Sequence, residues 1–210
     1  NTAALNLAAF LCGCTAGVDD KPTLAAAGDG EGEASSHLHT NRLRLLQVVL
    51  HCLQRRRPTI SDSTRLAVIQ GMVPALKQGV SHPYKQVHEE SAKGLVMCLA
   101  LEMDCDALRD LRSWIKGRAD DIGREVRDAP KDSAVSTACE GMVYVFLHGL
   151  LGRRLRSLSL ASADFLLAAA SADDCELREL AAHALNCLGQ APQRDLGPSE
   201  LAQALTELCR

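Results

Sequence analysis

Six arginines are the residues best equipped for chemistry. Arg55, Arg56 and Arg57 form one run, and Arg153, Arg154 and Arg156 form another. A guanidinium presents its donors in a planar fork that matches phosphate or carboxylate oxygens two at a time. Both clusters fall where apolar periodicity stops. They therefore read as helix-end residues that either complement the negative end of a helix dipole or contact an anion such as a polyphosphate. Other candidates are thinner. His37 and His39 make an HxH pair at a loop-to-helix junction, with no third ligand to complete a metal site. The nine cysteines are odd in number and contain no CxxC pair, Cys12 and Cys14 being the closest two. Cys98, Cys139 and Cys187 fall on apolar faces and read as small reduced core residues. Ser133, Ser136 and the scattered histidines make no nucleophile arrangement, and there is neither a GxSxG turn nor a phosphate-binding glycine loop. No catalytic residue and no metal ligand is assigned, so a non-enzymatic role is expected.

Composition narrows the classes further. The chain has 210 residues, a net charge of −3, 47% apolar residues and only 3% aromatics. The pI of about 6.2 argues against direct nucleic-acid binding, because phosphate neutralisation demands a basic surface. No apolar run is read as reaching membrane-spanning length, and residues 1–17 lack the charged start of a signal peptide, so no membrane partner is expected. The start at Asn1 and the end at Leu208-Cys209-Arg210 read as a piece of a longer chain. With few aromatics, leucine, alanine and valine must supply the core, each buried leucine contributing on the order of 2 kcal/mol.

The elements that must position these residues are helices. Residues 171–189, SADDCELRELAAHALNCLG, set the pattern. Asp173 and Asp174 turn the chain and cap a helix that carries Leu177, Ala181, Ala184, Leu185 and Leu188 on one face, with Gly189 as its stop. Residues 81–97, SHPYKQVHEESAKGLVM, repeat the grammar: a turn at His82-Pro83, then Val87, Ala92 and Leu95 at the spacing of Leu177, Ala182 and Leu185. The copies are 90 residues apart in sequence, which fits two repeats of about 45 residues. An apolar helix precedes each copy, at 63–80 and at 157–170, and Pro74 would bend the first of these. In chain order, 1–15 reads as the end of a preceding repeat, with a helix over 2–14. Residues 16–38 read as a flexible insertion, and 39–210 as stacked helical hairpins. Helices are expected over 37–57, 61–80, 83–103, 106–127, 133–151, 157–170, 173–188 and 198–209. The stripe of the fourth is Leu108, Leu111, Ile115, Ile122 and Val126, with Trp114 packing beside it. The helix over 133–151 is apolar enough to be buried on two sides.

Paired helices of this length resemble HEAT repeats, so the expected fold is all-α, a HEAT- or armadillo-like α-solenoid. The order of elements over 61–210 resembles a narrower group, the large single-chain HEAT-repeat proteasome activators. The matching pieces are Ser81-His82-Pro83-Tyr84-Lys85-Gln86-Val87, then Met142-Val143-Tyr144, then Phe165-Leu166-Leu167. An acidic turn, Leu177-Arg178-Glu179-Leu180-Ala181-Ala182 with Leu185, and a final helix from Pro198 to Leu208-Cys209 follow. The resemblance implies a cap on the 20S proteasome α-ring that works without ATP and admits peptides or unfolded proteins, histones among them. It implies a nuclear and cytoplasmic location, with links to acetylated-histone turnover and DNA repair. It implies no required cofactor, and gives Arg55, Arg56, Arg57, Arg153, Arg154 and Arg156 inositol polyphosphate as an anion. The family's gate contact is a tail ending hydrophobic–Tyr–X, where this sequence has Leu-Cys-Arg, so no gate residue is assigned. The loop Gln190-Ala191-Pro192-Gln193 lacks the Asn-Phe pair of acetyl-lysine recognition. A generic HEAT or armadillo scaffold that binds another protein is the alternative.

Overall fold

The computed structural model describes residues 29–55, 60–101, 103–128, 133–152 and 155–190, with side chains of the first helix described at 37 and from 39 onward. Every regular element among the described residues is an α-helix, as the all-α reading expects. The expected helices over 2–14 and 198–209 lie outside the described residues, as do residues 129–132 and 191–197. The chain divides into two units, Asn1–Leu111 and Arg112–Arg210.

The first unit contains α1 (Asp29–Arg55), α2 (Asp62–Gly79), α3 (Lys85–Leu99) and the start of α4 (Asp106–Asp128). Helix α1 begins at Asp29, which corrects the flexible-insertion reading for 29–38 and the expected start at His37. Positions 16–28 of that insertion lie outside the described residues. The predicted stripe of α1 is buried throughout: Leu43, Leu46, Val49, Leu50 and Leu53. Ser61 caps α2 by accepting the Thr64 N–H at 3.3 Å. Pro74 sits inside α2, on its exposed side, and the helix runs through it.

Helices α2 and α3 form an antiparallel hairpin, and glycines set how closely they approach. Gly79 lies against Ser91, and Gly94 lies under Leu76, where a β-carbon would stand 2.7 Å from Leu76 Cδ2. Helix α3 is buried on most of its circumference: Val87, Ala92, Leu95 and Cys98 are fully covered. Its other neighbour is α1. Gln47 bonds to Glu90, and His39 stacks on His82, both pairs with the same 43-residue offset. A constant offset with rising numbers means that α1 and α3 run in the same direction.

The second unit contains the rest of α4, then α5 (Ser133–Leu151), α6 (Arg156–Ala161), α7 (Ala163–Ala170) and α8 (Cys175–Gln190). The α4 stripe is buried as its spacing predicts: Leu108, Leu111, Ile115, Ile122 and Val126, with Ala119 completing it. Trp114 is half-buried beside it. Gly123 lets α4 approach the backbone of α7, since a β-carbon there would stand 3.4 Å from Phe165 Cα. Residues 141–147 of α5 are buried without interruption. Phe146 meets Phe165 at 5.6 Å between ring centroids, the tilted geometry that aromatic pairs favour. One expectation is corrected here: Ala134–Leu151 is long and apolar enough to cross a membrane by length and composition, although most of it is buried within the unit.

Three boundaries also differ from expectation, the first being α3, which ends at Leu99 rather than Met103. The single helix over 157–170 is two, broken at Ser162, whose backbone (φ −118°, ψ 22°) leaves the helical region. Ser157, Ser159 and Ser162 crowd this stretch, and Ser159 Oγ donates to the Leu155 carbonyl at 2.8 Å. Serines that bond local carbonyls compete with the helix ladder. Helix α8 runs through Gly189 to Gln190 rather than stopping there. Its N-terminus follows the sequence: Asp174 Oδ1 accepts the N–H groups of Glu176 and Leu177 at 2.9 and 3.2 Å. Leu177, Ala181, Ala184 and Leu188 are buried, while Leu185 is half-buried and Ala182 exposed.

Glycine substitutions separate helix propensity from packing. Gly71 is inside α2 with nothing near its missing side chain, so Gly71→Ala should raise stability by about 0.5–1 kcal/mol. A β-carbon at Gly149 would stand 2.8 Å from Leu155 Cβ, so Gly149→Ala should lower stability by about 1–3 kcal/mol. Urea melts of both variants check the opposite signs.

Candidate functional site

Arg55 occupies the last turn of α1 and is exposed, where its charge favours the helix C-terminus. Arg56, Arg57, Arg153 and Arg154 lie outside the described residues. Arg156 does not follow a helix C-terminus; it opens α6 and is half-buried. A cation there faces the positive end of the short helix, so dipole complementation does not account for it. Arg55 and Arg156 belong to different units.

The described polar constellation with the most convergent geometry is a seam between α1 and α3 that sequence reasoning missed. Glu90 is 7% exposed in the middle of α3. Gln47 Nε2 donates to Glu90 Oε2 at 2.7 Å and to the Glu90 carbonyl at 2.9 Å. Arg44 Nε reaches Glu90 Oε1 at 3.4 Å, and Lys93 Nζ reaches the same oxygen at 3.3 Å and Glu89 at 2.8 Å. Burial opposes the Glu90 charge, but the Gln47 hydrogen bond, Lys93 and Arg44 outweigh it, and the carboxyl is held below its ordinary range. Lys93 likewise loses to burial and gains more from Glu89 and Glu90, which raises it. Nothing in the local pattern marks Glu90 as buried. Only a partner 43 residues away does so.

One end of this interface carries histidines. His39, in α1, is 9% exposed, and neither ring nitrogen has a hydrogen-bond partner. Its ring stacks on His82 at 5.5 Å, and His82 stacks on Tyr84 at 5.4 Å. The Tyr84 N–H donates to His82 Nδ1 at 3.2 Å, which requires that nitrogen to be unprotonated. His88 Nδ1 lies 3.2 Å from the His82 carbonyl. Burial first, then the charges of His39 and His88, push His82 down to about 4, and burial with Arg42 also lowers His39. His37, the other member of the HxH pair, is exposed. Among the described residues no group of three or more His, Cys, Asp or Glu side chains is placed to hold a metal ion.

The described cysteines Cys52, Cys98, Cys105, Cys139, Cys175 and Cys187 are in no disulfide. Burial, reinforced by Glu140, pushes Cys139 up to about 12, which keeps it protonated at neutral pH. The seam and the histidine stack fix α1 against α3, and burial favours the neutral form of His39 and His82.

The histidine end sets a pH dependence. The ordinary value of 6.5 applies in the unfolded chain, and His82 falls to about 4 when folded. The unfolded state therefore binds more protons between these values. Stability should be full above about pH 6.5 and fall through the window down to about pH 4, by about 1–2 kcal/mol once discounted for the solvent screening of a half-buried ring. Thermal melts across that range check it, and His82→Gln should flatten the slope. Compared with known protein families, characterised proteins and solved structures, the chain matches none.

Proposed function

We propose that this chain is a HEAT-like α-solenoid segment whose function is contact with other macromolecules, and specifically the C-terminal portion of an ATP-independent activator that caps the 20S proteasome. The observation that carries the repeat reading is the packing of α1 on α3 in the same direction at an offset of 43 residues. Helical-hairpin repeats of 40–47 residues stack equivalent helices in this way. The α5–α8 pair is comparable: Ser136 Oγ in the first turn of α5 reaches the α8 cap Asp174 at 3.4 Å, an offset of 38. The narrower reading rests on the resemblance of residues 61–210 to that activator family. In it the 20S α-ring is the partner, peptides or unfolded proteins such as histones are the cargo, and the arginine clusters take inositol polyphosphate.

A generic protein-binding scaffold is the second reading, favoured by one feature. The run Leu177-Arg178-Glu179-Leu180-Ala181-Ala182 of α8 resembles HEAT repeats at large, with nothing in it particular to a proteasome cap.

The activator reading predicts that the full chain co-sediments with purified 20S particles at micromolar concentration. Absence of co-sedimentation, together with capture of one defined non-proteasomal protein, would replace it with the scaffold reading. Repeat architecture makes a separate prediction, because each repeat leans mainly on its neighbours. Leu46→Ala should cost about 2–5 kcal/mol locally. It should speed amide exchange in α1 and α3 while leaving α5 and α8 protected. Uniform loss of protection across the chain would argue against stacked repeats.

A further inference from the structure

Arg65 is the most anomalous charged group among the described residues. It is 3% exposed, yet its Nε and Nη1 have no hydrogen-bond partner. Its Nη2 is bonded to Asp62, in the first turn of the same helix, so the guanidinium lies at the N-terminus of α2. Asp62 is 78% exposed and is free to turn toward solvent. A buried cation with one exposed partner is costly, because desolvated donors recover little from a single carboxylate. An oxyanion with more acceptor oxygens would complete it.

The surroundings suit a phosphate and supply its attachment point. Ser61 is the exposed N-cap of α2, with extended backbone (φ −62°, ψ 149°). Its Oγ lies 3.0 Å from Ser63 Oγ and 2.9 Å from Thr64 Oγ1. The Arg65 N–H donates to the Ser61 carbonyl at 3.1 Å, so the serine and the arginine are one helical turn apart. A helix N-terminus adds free N–H groups and positive dipole.

We propose that Ser61 is a phosphorylation site and that its phosphate seats on the Arg65 guanidinium in place of Asp62. The γ-phosphoryl group of a magnesium-bound ATP transfers to Ser61 Oγ. The bond from the γ-phosphorus to the bridging oxygen breaks and the Oγ–P bond forms. ADP leaves, and the hydroxyl proton passes to the base of the kinase. The phosphate carries nearly two negative charges and three acceptor oxygens, which order a helix N-terminus through charge-assisted hydrogen bonds.

The test uses the full chain with phosphoserine installed at position 61. Its melting temperature should rise by about 4 °C over the unmodified chain. The phosphate's second ionisation, read by phosphorus NMR, should fall at least about half a unit below its usual value near 6. In Arg65→Met the ionisation should return toward that value. Should Arg65→Met fail to fold, Arg65→Lys serves, and should lose at least half of the thermal gain. An unchanged melting temperature and ionisation in the phosphorylated chain would overturn the proposal. So would saturable binding of inorganic phosphate to the unmodified chain with no effect of phosphoserine, which would assign Arg65 to a free anion. Incubation with ATP and an arginine-directed protein kinase, chosen for the run Arg55-Arg56-Arg57 upstream in the sequence, should label Ser61; label confined to other residues would overturn the assignment.

Discussion

The hydrogen-bonded carboxylate of Glu90 is the constraint on which the first unit depends. Leucine stripes bring α1 and α3 together, but leucines alone tolerate a slide of one turn. Glu90 does not. Its charge sits in the interface, bonded to Gln47, which also holds the Glu90 backbone carbonyl, and supported by Arg44 and Lys93. Moving α1 by one turn, about 5.4 Å, would strip that carboxylate of Gln47 and Arg44 and leave only Lys93 of its own helix. The His39–His82 stack falls at the same offset, so the seam and the stack specify one register. The hydrophobic stripe supplies the attraction, and the polar seam chooses among alignments that the stripe would otherwise leave nearly equal.

The second unit achieves register by shape instead. Gly123 and Gly149 let Phe165 and Leu155 approach the backbones of α4 and α5, and the Phe146–Phe165 pair fills the space between α5 and α7. Its surface ion pairs, such as Lys116–Asp120 at 2.7 Å, stand in solvent and contribute little. The two units reach comparable order by different physics, one through a satisfied buried charge and one through close-packed small and aromatic residues.

How much was legible in the sequence follows the range of the interactions involved. The α4 stripe and the Asp174 cap were readable because both are local: spacing of three and four places Leu108 to Val126 on one face, and an aspartate precedes free N–H groups. The extension of α1 back to Asp29 was hidden by the glycines at positions 30 and 32, which read as breakers in the sequence. Gly189 misled in the opposite sense: a glycine inside a helix costs only about 1 kcal/mol, which flanking packing absorbs. The break at Ser162 lay inside an unbroken apolar pattern, where only the density of serines hinted at it. Glu90 and the histidine stack were out of reach, because their character comes from residues 43 positions away. Of the six arginines, Arg55 agrees with its reading and Arg156 stands at the opposite end of a helix from the one expected.

Helix α5 has a consequence for biosynthesis. Its apolar length would satisfy a membrane-insertion machinery as readily as a folding core, and α8, which covers it, is encoded afterwards. At roughly 5–20 residues per second, translation leaves α5 uncovered for a few seconds before α8 is complete. During that interval the nascent chain presents a greasy segment to any factor that binds apolar helices. Fast closure of α7 and α8 over α5 shortens that exposure.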